Sequence, residues 1–161
     1  MINAHGEAFI VAMYKEALQL AEQMRYGLPR VRDVSKAQDL NIEEQLNLTA
    51  ELLRLSSRIM HSMAWLMARR AVSAGEITEE EAMGADYCLD GQEICLRDPA
   101  VDKARMPPVI VDLMDRSEQL YRRIIRIDAE LARRRDQGRA DPVQRLQADL
   151  TARTKGQSLL A

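Results

Sequence analysis

The stretch IEEQLNLTAELLRLSSRIMHSMAWLMARRAVSA, Ile42 to Ala74, decides the fold. Asn41 stands before it with Glu44 three residues on, a capping-box start, and Gly75 follows as a stop. At 1.5 Å per residue the stretch predicts a rod of about 50 Å. Two apolar rows run along it. Ile42, Leu46, Leu53, Met60 and Met67 form one; Leu48, Leu52, Leu55, Ile59 and Leu66 form the other. Their centres lie about 110° apart on a helical wheel, so the rod should touch two neighbours. A third row, Asn47, Glu51, Arg54, Arg58, His61, Trp65 and Arg69, shares the polar side. It contains the chain's single Trp among arginines, the residue types that dominate binding hot spots. On one reading Arg54, Arg58, His61, Trp65 and Arg69 form a partner-binding face. On the other, Trp65 lies against its own domain and turns its N–H to water. The first reading requires that Trp65→Ala with charge reversal at Arg58 abolish binding and leave thermal stability intact.

Outward from this rod the pattern stays helical. A first helix is expected from Glu7 to Tyr26, with Phe9, Met13, Ala17, Leu20 and Met24 as its stripe. Gly27 fits its C′ position and Pro29 forbids continuation, leaving residues 28–40 as a connector with Arg30, Arg32 and Lys36. Beyond Gly75, Thr78 and Glu81 open a short helix near 79–85, and residues 84–105 read as irregular around Gly91 and Pro99. Pro107 and Pro108 start a third long helix, whose seam is Ile110, Leu113, Ser117, Leu120, Ile124, Ile127 and Leu131. Asp141–Pro142 begins a last short helix carrying Val143, Leu146 and Leu150. The expected fold is all-α: an antiparallel three-helix bundle crossing at about 20°, with short extra helices in the 76–105 connector and after residue 141. A bundle domain should span 1–136, and a short helix with a flexible C-terminal tail 137–161. Leu53 and Ile124 are expected core positions, each costing about 2–5 kcal/mol on truncation to Ala.

Composition narrows the function. With 161 residues, 47% apolar and 30% charged, the chain fits one globular domain. A net charge of −2 provides no field to hold it on nucleic acid or membrane. Charge is unevenly spread, however. Glu76, Glu79, Glu80, Glu81, Asp86, Asp90 and Glu93 fall in a segment without Lys or Arg, while Arg122, Arg123, Arg126, Arg133, Arg134 and Arg135 crowd the end of the third long helix. Arg122, Arg126 and Arg133 could contact phosphates, receive an acidic partner (even this chain's own 76–95 segment), or simply solvate a helix face. No basic-plus-apolar leader and no run long enough to cross a bilayer is present, so a cytoplasmic protein is expected. Neither His follows a carboxylate by three residues, and Cys88 and Cys95 lack companions at zinc spacing. There is no Gly-rich phosphate loop. The expectation is therefore no catalytic residue, no metal, no cofactor and no enzymatic activity.

Three runs resemble one bacterial family: AELLRLSSRIMHSMAWLMARRAVSAGEIT (50–78), YCLDGQEICL (87–96) and MPPVIVDLMDRSEQLYRRIIRID (106–128). The chain is similar to the family named for the regulator of CtrA degradation, from the first helix around Phe9–Leu20 to about residue 131. The resemblance implies a homodimeric three-helix bundle that acts as an adaptor. Its implied partners are the ClpXP protease, response-regulator cargo such as CtrA, and other adaptor components including a cyclic-di-GMP-binding effector. It also implies gathering at a cell pole. It supplies no catalytic residue. The rival reading is a helical nucleic-acid-binding regulator using the arginines of the third helix.

Overall fold

A computed structural model describes residues 4–37, 40–84, 87 and 89–139, with side chains over 6–26, 40–84, 87 and 89–136. Three long helices dominate: α1 (Ala4–Ala37), α2 (Ile42–Ala74) and α4 (Pro108–Arg139). A short α3 (Gln92–Cys95) and single 3-10 turns at Glu81–Met83 and Lys103–Arg105 lie between α2 and α4. No strand occurs among the described residues. The chain divides into two compact units, Met1–Ile125 and Arg126–Ala161. The described part of the second is the continuation of α4. The short helix expected from Asp141 and the C-terminal tail lie outside the described residues, as does Cys88.

The caps of α2 form as the sequence predicts. Asn41 Oδ1 accepts from the Glu44 amide at 2.9 Å, and the Glu44 carboxylate accepts from the Asn41 amide at 3.0 Å. Gly75 ends the helix at φ 74°, the left-handed conformation a glycine adopts without a Cβ penalty. Downstream, the Thr78–Glu81 capping pair forms, but it opens one 3-10 turn rather than a longer helix. The Thr78 amide holds the Glu81 carboxyl below its ordinary range. The expected end of the first helix is corrected. α1 passes through Gly27 and Pro29 to Ala37, so Arg30, Arg32 and Lys36 belong to a helix and not to a connector. A proline removes one ladder bond and crowds the turn before it, but a helix already nucleated upstream propagates past that single loss.

Contacts set the helix directions. The Arg70 guanidinium stacks 4.5 Å from the centre of the Tyr14 ring, while Ser56 Oγ reaches Met24 Sδ at 3.7 Å, so α1 and α2 are antiparallel. Arg123 grips Glu16 at 2.6 Å and Arg116 donates to Gln23 at 2.9 Å, so α1 and α4 are antiparallel too. It follows that α2 and α4 run the same way. The segment joining them, residues 76–107, must travel back along α2.

The core of the first unit is built from Ile10, Met13, Ala17 and Leu20 of α1, Leu55 and Leu66 of α2, and Leu113, Leu120 and Ile124 of α4. Ser117 sits in that seam fully buried and returns its hydroxyl to Met114 O at 2.9 Å. Of the two apolar rows on α2, only that of Leu48, Leu55, Ile59 and Leu66 is buried. The other is at the surface, so Leu53, expected in the core, is 64% exposed. Its neighbours Ile42, Leu46, Met60 and Met67 are exposed with it.

Candidate functional site

The charged row of α2 is a docking face, and what docks there is the chain's own 76–107 strap. At the far end of α2, Arg69 donates to Ala82 O at 2.7 Å and pairs with Glu79 at 2.9 Å. Further down, the His61 imidazole lies so close to Gly91 that a Cβ there would stand 3.0 Å from Nε2. Gly91 also holds φ 77°, so a larger residue would be strained in its backbone and would have to push the His61 ring aside. Arg58 then donates through Nε to Cys95 O at 2.5 Å. Arg54 reaches Asp98 O at 3.4 Å, and Glu51 accepts from the Ala100 amide at 3.0 Å. At the start of α2, Glu44 pairs with Arg105. Rising position on the strap is matched by falling position on α2, as the helix directions require.

Physical chemistry explains why arginines do this work. An irregular segment has carbonyls and amides with no ladder to pair them, and burying them unpaired costs about 1–3 kcal/mol each. A guanidinium offers five donors in a fixed fork and suits several carbonyls at once. Arg58, 2% exposed, binds Cys95 O of the strap, approaches Met114 O of α4 at 3.5 Å, and lies 3.6 Å from Glu118. Burial pulls its pKa down, opposed by the Glu118 carboxylate. α4 holds the strap from the other side: Tyr121 donates to Asp90 O at 2.7 Å and Asp115 accepts from Lys103 at 2.5 Å. Burial pushes the Cys95 thiol up and the Tyr121 hydroxyl well above its usual value. That thiol is free and buried, an environment that disfavours the reactive thiolate. Glu51 Oε2, Arg54 Nε, Ser62 Oγ and Arg69 Nε are buried without a hydrogen-bond partner among the described residues. The strap is therefore held by specific but incompletely paired polar contacts, which fix its path more than they add net stability.

The expected exposure of the Trp65 face is overturned. Trp65 is 1% exposed, with Arg69 stacked 5.4 Å from its ring centre; Arg54, Arg58 and Arg69 are buried, and His61 is half-buried. The acidic 76–95 segment does meet arginines of this chain. Glu79 pairs with Arg69 and Cys95 O accepts from Arg58, both arginines of α2. Arg122, Arg126 and Arg133 are at the surface. Arg122 pairs with Glu118 at 2.8 Å and Arg133 with Glu130. What sequence reasoning missed is Glu51 as a link between Arg54, at 2.5 Å, and the strap amide of Ala100. The available signal was an acid within a row of basic residues and one Trp. Also missed was the outward turn of the Leu46–Met67 row.

Among the described residues, no group of three or more His, Cys, Asp and Glu could hold a metal ion, and no helix is long and apolar enough to cross a membrane. A search of curated proteins gives no match. The crystal structure of RcdA from Caulobacter crescentus CB15 is similar at 29% identity and a TM-score of 0.58, over 76% of this chain and 89% of that one. The family described as "Protein of unknown function (DUF1465)" matches residues 3–154. This helical chain, with its strapped α2, belongs to that RcdA-like family.

Proposed function

We propose that the protein is a non-catalytic, homodimeric adaptor that promotes regulated degradation of cell-cycle regulators by a ClpXP-type protease. The observation that carries this reading is the likeness to RcdA over nearly all of that chain, at 29% identity. It is supported by a site built from main-chain clamps rather than from a nucleophile, an acid–base pair or a metal cluster. An adaptor works by holding cargo beside the protease, which raises effective concentration without new chemistry. Its natural place is the cytoplasm, gathered at a pole with its partners.

With the Trp65 row occupied by the strap, the partner-facing residues in this reading are the exposed Arg122, Arg126 and Arg133 of α4. The rival reading, nucleic-acid binding through the same arginines, has less support because Glu118 and Glu130 already neutralise two of them. The test is reconstitution: purified protease, a CtrA-type response regulator with its other adaptor components, and this chain added or withheld. Faster cargo loss in its presence is expected. Unchanged loss, with neither protease nor cargo retained on the immobilised chain, contradicts the reading; a steeply salt-dependent shift of DNA or RNA favours the rival.

A further inference from the structure

Where the strap finishes its run along α2, its end and the start of the helix enclose a pocket of about 70 Å³. One water needs about 10–15 Å³ of such room, and pockets for drug-sized molecules run from about 300 to 1,000 Å³. The space suits one aliphatic side chain and is too small to enclose a nucleotide. Leu40 and Leu48 beside α2, and Val101 and Met106 of the strap, make its lining mostly apolar. Both walls are pinned from behind. The Ala100 amide donates to Glu51 at 3.0 Å, and Arg105 pairs with Glu44, which also accepts from the Asn41 amide at 3.0 Å. A hollow held open by such contacts asks little further ordering of a ligand.

The rim is unfinished in two ways. Among the described residues, neither the Asn47 carboxamide nor the Val101 main chain has a hydrogen-bond partner. Together they offer the donors and acceptors that a peptide backbone needs. The second way is charge. Glu44 and Arg105 neutralise each other, which leaves Asp102 as the uncompensated charge of the lining. Its Oδ1 caps the Ala104 amide at 2.9 Å, and its Oδ2 is open.

We propose that this pocket takes one aliphatic side chain of an extended peptide, with a Lys or Arg next to it set against Asp102. The peptide backbone crosses Val101 and Asn47, so main-chain bonds hold it and the pocket selects the residue. An acidic neighbour meets the Asp102 carboxylate and is turned away. The inference rests on the adaptor reading for the owner of the peptide, a cargo protein; the binding itself needs no protease.

Chemical-shift titration of the isotope-labelled full chain tests it. The probes are acetylated, amidated hexapeptides with Leu-Arg, Ala-Arg or Leu-Glu at the centre of a Gly-Ser frame. The Leu-Arg peptide is expected to move the Leu48, Val101 and Met106 amides. Ala-Arg is expected to bind about tenfold more weakly, the scale of one buried aliphatic side chain. Leu-Glu is expected to bind about three- to fivefold more weakly, the scale of one exposed ion pair. Asp102→Asn, which can still cap Ala104, should erase that second difference. Ala100→Phe, which adds bulk to the pocket wall, should abolish the shifts with unchanged circular dichroism. Unmoved pocket amides, equal binding of Leu-Arg and Ala-Arg, or a charge preference that survives Asp102→Asn overturns the proposal. If Ala100→Phe fails to fold, the peptide series and Asp102→Asn decide alone. A chain that binds the peptide yet leaves cargo loss unchanged refutes the adaptor reading and leaves the pocket standing. Cargo loss accelerated equally by folded Ala100→Phe overturns the assignment of the peptide to cargo.

Discussion

On α2 the usual arrangement is inverted. The face carrying Glu51, Arg54, Arg58, Trp65 and Arg69 is buried; the face carrying Leu46, Leu53, Met60 and Met67 is in water. Residue type alone would place them the other way round. The difference lies in the neighbour. An irregular strap brings carbonyls such as Ala82 O, Cys95 O and Asp98 O, and these call for donors. A charged helix face supplies them, whereas an apolar face could only bury them unpaired. A helix face is thus interior or exterior according to what lies over it, and the strap selects the arginines.

The largest expected effect strikes the buried face. Trp65→Ala should cost about 3–5 kcal/mol in urea unfolding, as truncation of a fully enclosed aromatic does. A loss under about 1 kcal/mol would return the indole to the surface and break the comparison. Arg58→Ala follows at about 2–4 kcal/mol, because it strands the Cys95 carbonyl of the strap and empties an enclosed site. Hydrogen exchange should show the added opening concentrated at residues 92–100 of the strap and not in α1. Smaller still is a pH effect. Buried Cys95 and Tyr121 hold their protons above their ordinary 9.0 and 10.0, while the unfolded chain releases them first, so stability should fall as pH rises past 9. Tyr121→Phe should flatten that slope above pH 10. The smallest effect falls on the open face: Leu53→Ala should change the stability of the isolated fold by less than about 0.5 kcal/mol. A loss of 2–5 kcal/mol there, as for a core leucine, would erase the contrast between the faces.

Much of the architecture was legible from local signals. The Asn41–Glu44 box, Gly75, the Thr78–Glu81 pair and Pro107–Pro108 mark element ends by backbone chemistry, and each is found where its residues indicate. The buried row of α4 was legible because its period is unbroken from Ile110 to Ile124. The inner face of α2 was not. A wheel gives the angles between rows but not the neighbour over each, and α2 carries two apolar rows and one charged row of similar length. The strap was illegible for a related reason: its hold depends on main-chain carbonyls, which every residue carries and no side-chain pattern announces. Pro29 misled in the opposite sense. A local stop signal lost to a helix that was already propagating.

One tryptophan in the chain makes the central claim directly readable. Fluorescence of the native protein, titrated with iodide, reports whether water reaches Trp65. An indole 1% exposed beneath the Arg69 guanidinium predicts blue-shifted emission with almost no quenching, both lost together on unfolding in urea. Red-shifted emission quenched as readily in the native protein as in the unfolded chain would contradict the account.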